Sequence, residues 1–184
     1  MAPACNAPRA TIPRVSESQD LREFIREQTL QRRDRAGRVT LSLDEKRAQV
    51  RQLIGALEAR DFDAIAALEF YDADAEFRST ISASEGEVYR GVEGLRAWAM
   101  SVDEIWEDFR VEVAEVHDAG ENRAVVIFNV TGTAKVSGVP LDTQTGQVWT
   151  WSDDGVVIRN DSFGHAHAAF EFAGLPYGPS TRST

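Results

Sequence analysis

The feature that most constrains this chain is a change of hydrophobic period near residue 110. Before that point the apolar residues recur at helical spacing. Val50, Leu53, Ile54 and Leu57 form one stripe, which suits a helix buried on a single face. Ser42-Leu43-Asp44-Glu45 stands at its start, with Glu45 three residues after the serine, the pattern of a capping box. Asp61-Phe62-Asp63 opens a second, short helix with Ile65, Ala66 and Leu68 inward. A third is predicted from the turn at Tyr89–Gly94 to about Phe109, carrying Leu95, Trp98, Val102, Ile105 and Trp106. Between the second and third, Tyr71 to Ile81 alternates, with Phe77, Ser79 and Ile81 on one face, as a half-buried strand does.

After residue 110 the pattern is that of strands. Val111 to Val116 leads to a turn at Asp118-Ala119-Gly120, Ala124 to Val130 is nearly all apolar, and Gln147 to Trp151 is joined to Val156–Phe163 by the hairpin turn Asp153-Asp154-Gly155. His165 to Leu175 predicts a short closing helix that ends at Gly174. Helices first and a meander afterwards give an α+β class, with three helices packed against one curved antiparallel sheet. A bent sheet wrapped against helices leaves a concavity, and ligands occupy concavities.

Domain organisation follows from where these patterns stop. Residues 41–176 are expected to form one domain, residues 1–40 a partly helical extension, and residues 177–184 a flexible tail. Within the extension, Leu21, Phe24, Ile25 and Gln28 place a helical stripe over Asp20–Arg35. The net charge is −10, and it is divided: residues 1–38 hold eight Arg against five Asp and Glu, so the body is the acidic part. An acidic body repels phosphate backbones, so no nucleic-acid partner is expected. No apolar run approaches the roughly 20 residues that span a bilayer, so no membrane partner is expected either. The N-terminus shows no apolar signal core. Cys5 is the single cysteine. A disulfide within the chain and a thiolate metal cluster are thereby excluded, and a cytoplasmic location is the default expectation. No glycine-rich nucleotide motif is present, so the pocket is expected to work without a cofactor.

Phe62-Asp63-Ala64-Ile65 after the first helix, Tyr89-Arg90-Gly91-x-x-Gly94-Leu95 opening the third, Asp153-Asp154-Gly155-Val156-Val157 before the last strand and the closing Ala173-Gly174-Leu175 together resemble the SnoaL-like branch of the NTF2-like superfamily over roughly residues 43–175. The resemblance implies a cone-shaped fold around a small-molecule pocket. Its members include polyketide cyclases, ketosteroid isomerases, epoxide hydrolases and proteins that only bind, so fold alone does not select a chemistry. Two readings follow. One is a cofactor-independent cyclase, isomerase or hydrolase acting on a small cyclic organic compound. The other is a ligand-binding or interaction module. Pairing through the outer face of the sheet is common in the family, so a homodimer is expected.

The resemblance also assigns faces. Aligned by its turns to a ketosteroid isomerase, the chain turns Ser79, Phe128, Val130, Gln147, Trp149, Asn160 and Ser162 toward the pocket, with Trp98 closing it from the third helix. That isomerase needs an aspartate base and a Tyr and protonated Asp pair as oxyanion donors. The matching positions here are Ser79, Gln147 and Leu53, none of which exchanges a proton near neutral pH, so steroid isomerisation is not expected. In SnoaL-type cyclases a pocket aspartate near the last strand is the acid–base group. Ser162 falls at or beside that place, with Asp161 next to it. A one-residue slip of register reverses a strand's faces and would bring Asp161 into the pocket. In the register adopted, Arg159 and Asp161 share the outward face as an exposed ion pair. His165 stands just past the last strand, and a histidine there is a candidate base near pH 7. Asp161 and His165 are therefore the candidate catalytic residues. His165-x-His167 also has the spacing of metal ligands on a strand, but on a helix the two rings diverge, so no metal site is assigned.

Overall fold

The computed structural model describes residues 38–80 and 88–178. The helix expected over 20–35 and Ile81 lie outside the described residues. The chain begins with helix α1, Leu43–Glu58, and the short helix α2, Phe62–Ala66. Strands β1, Tyr71–Arg78, and β2, Val88–Arg90, come next and lead into helix α3, Gly91–Ile105. Four strands follow: β3 (Trp106–Asp118), β4 (Arg123–Ala134), β5 (Pro140–Trp151) and β6 (Val157–Phe163). Helix α4, Ala166–Ala173, closes the domain.

Local chemistry accounts for the element ends. Glu45 N–H donates to Ser42 Oγ, and the Glu45 carboxylate accepts from Ser42 N–H at 2.7 Å, so the capping box is formed as the sequence predicts. Asp61 Oδ1 accepts from Ala64 N–H at 2.8 Å and starts α2. The β2–α3 junction needs Gly91: its φ is +58°, and a Cβ there would lie 2.0 Å from the carbonyl oxygen of Ala73. No other residue satisfies both conditions. Helix α3 is shorter than its apolar stripe predicts. Trp106 is extended (φ −114°, ψ 141°) and pairs with Ala134, so strand β3 claims residues that the helical spacing assigned to α3.

The strands form one six-stranded sheet in the order β2-β1-β6-β5-β4-β3. All neighbours are antiparallel except β1 and β6, which run parallel. The inner face carries Val126, Phe128 and Val130 from β4 and Trp149 and Trp151 from β5, packed with Val50, Leu53 and Ile54 of α1 and Trp98 and Val102 of α3. Val39 and Leu41 are also buried in this core, and Val39 N–H donates to the Asp153 carbonyl at 2.7 Å. The packed body thus reaches two residues into the segment read from sequence as extension.

The outer face has its own, smaller core. Val125, Ile127 and Val148 of the sheet pack against Ala166, Ala169 and Phe170 of α4. Helix α4 thus covers the centre of the face through which a second copy was expected to pair. Among the described residues, no helix is long and apolar enough to cross a membrane.

Candidate functional site

Between the inner face and helices α1 and α3 lies a cavity of about 40 Å³. Leu53, Ile54 and Leu57 of α1 and Leu95 and Trp98 of α3 form one wall. The sheet supplies Phe77, Phe128, Val130, Thr145, Gln147, Trp149, Asn160 and Ser162, with Ser79 just beyond β1. Ser79, Trp98, Phe128, Gln147, Trp149, Asn160 and Ser162, singled out from the sequence, are brought together around this one cavity. The pairing Trp149↔Asn160 and Gln147↔Ser162 sets them side by side on one face.

Asp161 and His165 stand elsewhere. Asp161 lies between Asn160 and Ser162 on β6, so the pleat turns it to the opposite face. There its carboxylate accepts from Arg159 Nε and Nη2, both at 2.7 Å. Arg78 Nε is 3.8 Å from the same carboxylate, and Arg78 and Arg90 in turn pair with Glu76. This is a cross-strand ion ladder on the outer face. His165 occupies the N-cap of α4, is exposed, and makes no capping bond through its side chain. His167 is also exposed and stacks edge-on with Tyr177. His117 is on the outer face as well, bonded to Glu115 at 2.7 Å and packed on Phe170.

The polar groups around the cavity are neutral, and most of their bonds can be traced. Trp98 Nε1 donates to Ser79 Oγ at 2.9 Å. Trp149 Nε1 donates to Gln147 Oε1 at 2.9 Å; since the indole is a donor, the Gln147 amide nitrogen is turned away from it. Asn160 is 3% exposed, and its Nδ2 has no partner. Among the described residues two other buried side-chain polar atoms lack partners, Tyr71 Oη and Trp106 Nε1. Tyr71 borders neither chamber, and burial pushes its phenol above the usual range, so it stays neutral.

A second, outer chamber of about 260 Å³ shares the wall formed by Ile54, Leu57, Trp98 and Val111. Its remaining lining comes from the end of α1 and its following turn (Glu58, Arg60), the end of α3 (Asp103) and the start of β3 (Trp106, Asp108, Phe109, Arg110). No motif or periodicity in the sequence marks this chamber. Its decisive features are conformational: Arg60 and Asp108 are the only non-glycine described residues with positive φ, at 55° and 53°, and both line it.

Residues 50–160, more than half of the chain, match the profile of the SnoaL-like domain. The chain belongs to the SnoaL-like family. Solved structures place its fold among NTF2-like proteins. An NTF2-like protein from Burkholderia thailandensis superposes with a TM-score of 0.53 at 20% identity, covering 69% of this chain and 95% of that one. A protein of ketosteroid isomerase-like fold from Catenulispora acidiphila, crystallised with trimethylamine, gives 0.51 at 16% identity, covering 71% and 96%. TerC, co-crystallised with polyporic acid, gives 0.53 at 18% identity, covering 68% and 95%. No curated protein sequence matches the chain. The α+β cone and its place in the SnoaL-like branch are therefore established.

Proposed function

We propose that this SnoaL-like protein binds a small organic compound through a carbonyl group presented to Asn160 inside the cone. The observation that carries this reading is that Asn160 lines the cavity and that its Nδ2 is buried without a partner. A buried donor left without an acceptor costs about 1–3 kcal/mol. A ligand oxygen in the cavity recovers that loss.

The lining also selects the kind of guest. All fifteen lining residues are apolar, aromatic, hydroxyl or amide. Such groups orient a carbonyl and stabilise partial negative charge on its oxygen, but they do not carry protons. The proposal therefore assigns recognition and orientation to Asn160, Ser162, Gln147 and Ser79, packing to Trp98, Phe128 and Trp149, and no proton transfer to Asp161 or His165. The fold relatives crystallised with trimethylamine and with polyporic acid support a small organic molecule as the class of guest.

The test is calorimetric titration with acetophenone and, as the control lacking a carbonyl, ethylbenzene. Asn160→Leu should weaken acetophenone about threefold to tenfold, the range of one net hydrogen bond, leave ethylbenzene unchanged, and keep or raise the melting temperature. Equal acetophenone binding by both proteins overturns the reading.

A further inference from the structure

A volume of 40 Å³ admits water or the tip of a functional group, whereas an apolar cavity of about 150 Å³ is what takes up a benzene ring. A guest whose carbonyl reaches Asn160 therefore needs more room than the cone provides as it stands. That room has to come from the wall. Toward the outer chamber the wall consists of Ile54, Leu57, Trp98 and Val111. Of these side chains, only the indole of Trp98 frees a ring-sized space when it moves.

Trp98 is 5% exposed, and its Nε1 bond to Ser79 Oγ at 2.9 Å holds it on the inner side. Its ring has one aromatic partner in the lining of each chamber. It meets Phe77 of the inner cavity edge to face at 5.2 Å, and Phe109 of the outer chamber edge to face at 6.4 Å. Both separations lie in the range where aromatic pairs attract, so a swing toward Phe109 gives up one partner and keeps the other.

The outer chamber has the means to receive the ring. At about 260 Å³ it exceeds what a benzene ring needs. Glu58, Asp103, Asp108 and Arg110 of its lining are exposed, so water satisfies an indole N–H on that side. Its β3 wall is also irregular. The register against β4 shifts between Glu107 and Arg110, and Asp108 has a φ of 53°, so Phe109 stands outside the ladder. Stretches with fewer paired backbone groups open at lower cost.

We infer that Trp98 is a gate, closed in this structure and latched by Ser79. It opens when the indole swings into the outer chamber. The space it leaves joins the cavity beside Asn160, and Ser79 Oγ is released to the guest. The inference rests on the carbonyl reading of Asn160 and adds how a guest reaches that residue. Apparent affinity is then lowered by the fraction of molecules that stand open, and the Ser79 latch sets that fraction.

The experiment follows acetophenone binding to the full chain in two ways. Stopped-flow tryptophan fluorescence gives the association rate. Hydrogen exchange of the Trp98 indole N–H, assigned with Trp98→Phe in ¹⁵N-labelled protein, reports the latch, and it uses the parent chain, so it does not depend on a variant folding. Ser79→Ala leaves the closed indole without its acceptor and should raise the association rate about threefold to tenfold, the effect of one net hydrogen bond. Saturating acetophenone should speed exchange of the Trp98 indole about threefold or more in the parent, for loss of the same bond. A guest that packs against a fixed Trp98 would shield the N–H and slow its exchange instead. An association rate that Ser79→Ala leaves unchanged or lowers overturns the gate and leaves the carbonyl reading intact. So does a Trp98 indole whose exchange does not speed up while acetophenone shifts the Asn160 side-chain amide. An Asn160 amide that acetophenone leaves unmoved overturns the carbonyl reading itself.

Discussion

Trp98 Nε1 donates to Ser79 Oγ at 2.9 Å, and Trp98 stands in the wall common to both chambers. Ser79 therefore holds the partition in place, although the resemblance puts it where an isomerase has its base. Ser79→Ala should lower stability by about 1–3 kcal/mol, the cost of a buried indole donor losing its acceptor. Chemical denaturation checks this. A variant as stable as the parent would show that the bond does not hold the partition.

Lys46 is 1% exposed, and its ammonium donates to Asp118 Oδ1 at 2.8 Å and to the carbonyls of Gly120 and Arg123 at 2.6 and 3.1 Å. All three protons are satisfied, and α1 is pinned to the β3–β4 turn. Lys46→Met keeps the stem and removes the pin, so it should cost about 1–3 kcal/mol as those acceptors lose their donor. Acetophenone affinity should stay the same, because Lys46 lines neither chamber. A change in affinity with no loss of stability would contradict this division.

Gly146 on β5 meets the outer helix at close range: a Cβ there would lie 2.6 Å from Ala169 Cβ and 3.2 Å from Ala166 Cα. Gly146→Ala should cost about 1–3 kcal/mol through overpacking. Adding Ala169→Gly removes the closest of these contacts and should recover part of that loss, a coupling expected only of residues in contact. Purely additive effects in a thermal-denaturation cycle would rule out the contact.

The sequence made the inner cavity legible and hid the outer one for a physical reason. Strand alternation fixes faces, so Phe128, Gln147, Trp149, Asn160 and Ser162 follow from register once the turns are located. Ser79 and Trp98 follow in the same way from β1 and the α3 stripe. Asp161 is the ambiguous residue because a one-residue slip reverses a face; its pair with Arg159 lies on the face the adopted register predicts, but Asp161 is buried where an exposed pair is expected. The outer chamber depends instead on where α3 gives way to β3. Trp106 continues the helical apolar spacing, so periodicity extends the helix to about Phe109. The backbone turns at Asp108 (φ 53°), and no composition signal marks that turn. The parallel β1–β6 pair was equally hidden, since side-chain alternation is the same in parallel and antiparallel strands.

Glu76 sits on the outer face between Arg78, at 3.3 Å, and Arg90, at 2.7 Å. Burial works to raise its carboxyl, but the two arginines outweigh it and hold the group below the usual carboxylate range. A depressed folded value means the contribution to stability is complete above the ordinary carboxylate pKa of about 4.3 and is lost as pH falls through the folded value. Melting temperatures from pH 7 to pH 3 should therefore show parent and Glu76→Gln farthest apart near neutrality and converging in acid. The gap should also narrow in high salt. A gap that widens toward acid would reverse the assigned sign.

The measurement that bears most directly on the carbonyl reading is a crystal structure of the full chain with acetophenone. The account predicts the carbonyl oxygen within about 2.7–3.2 Å of Asn160 Nδ2, the range of an N–H···O bond. Acetophenone bound elsewhere, or bound in the cone with its oxygen turned away from Asn160, would contradict it.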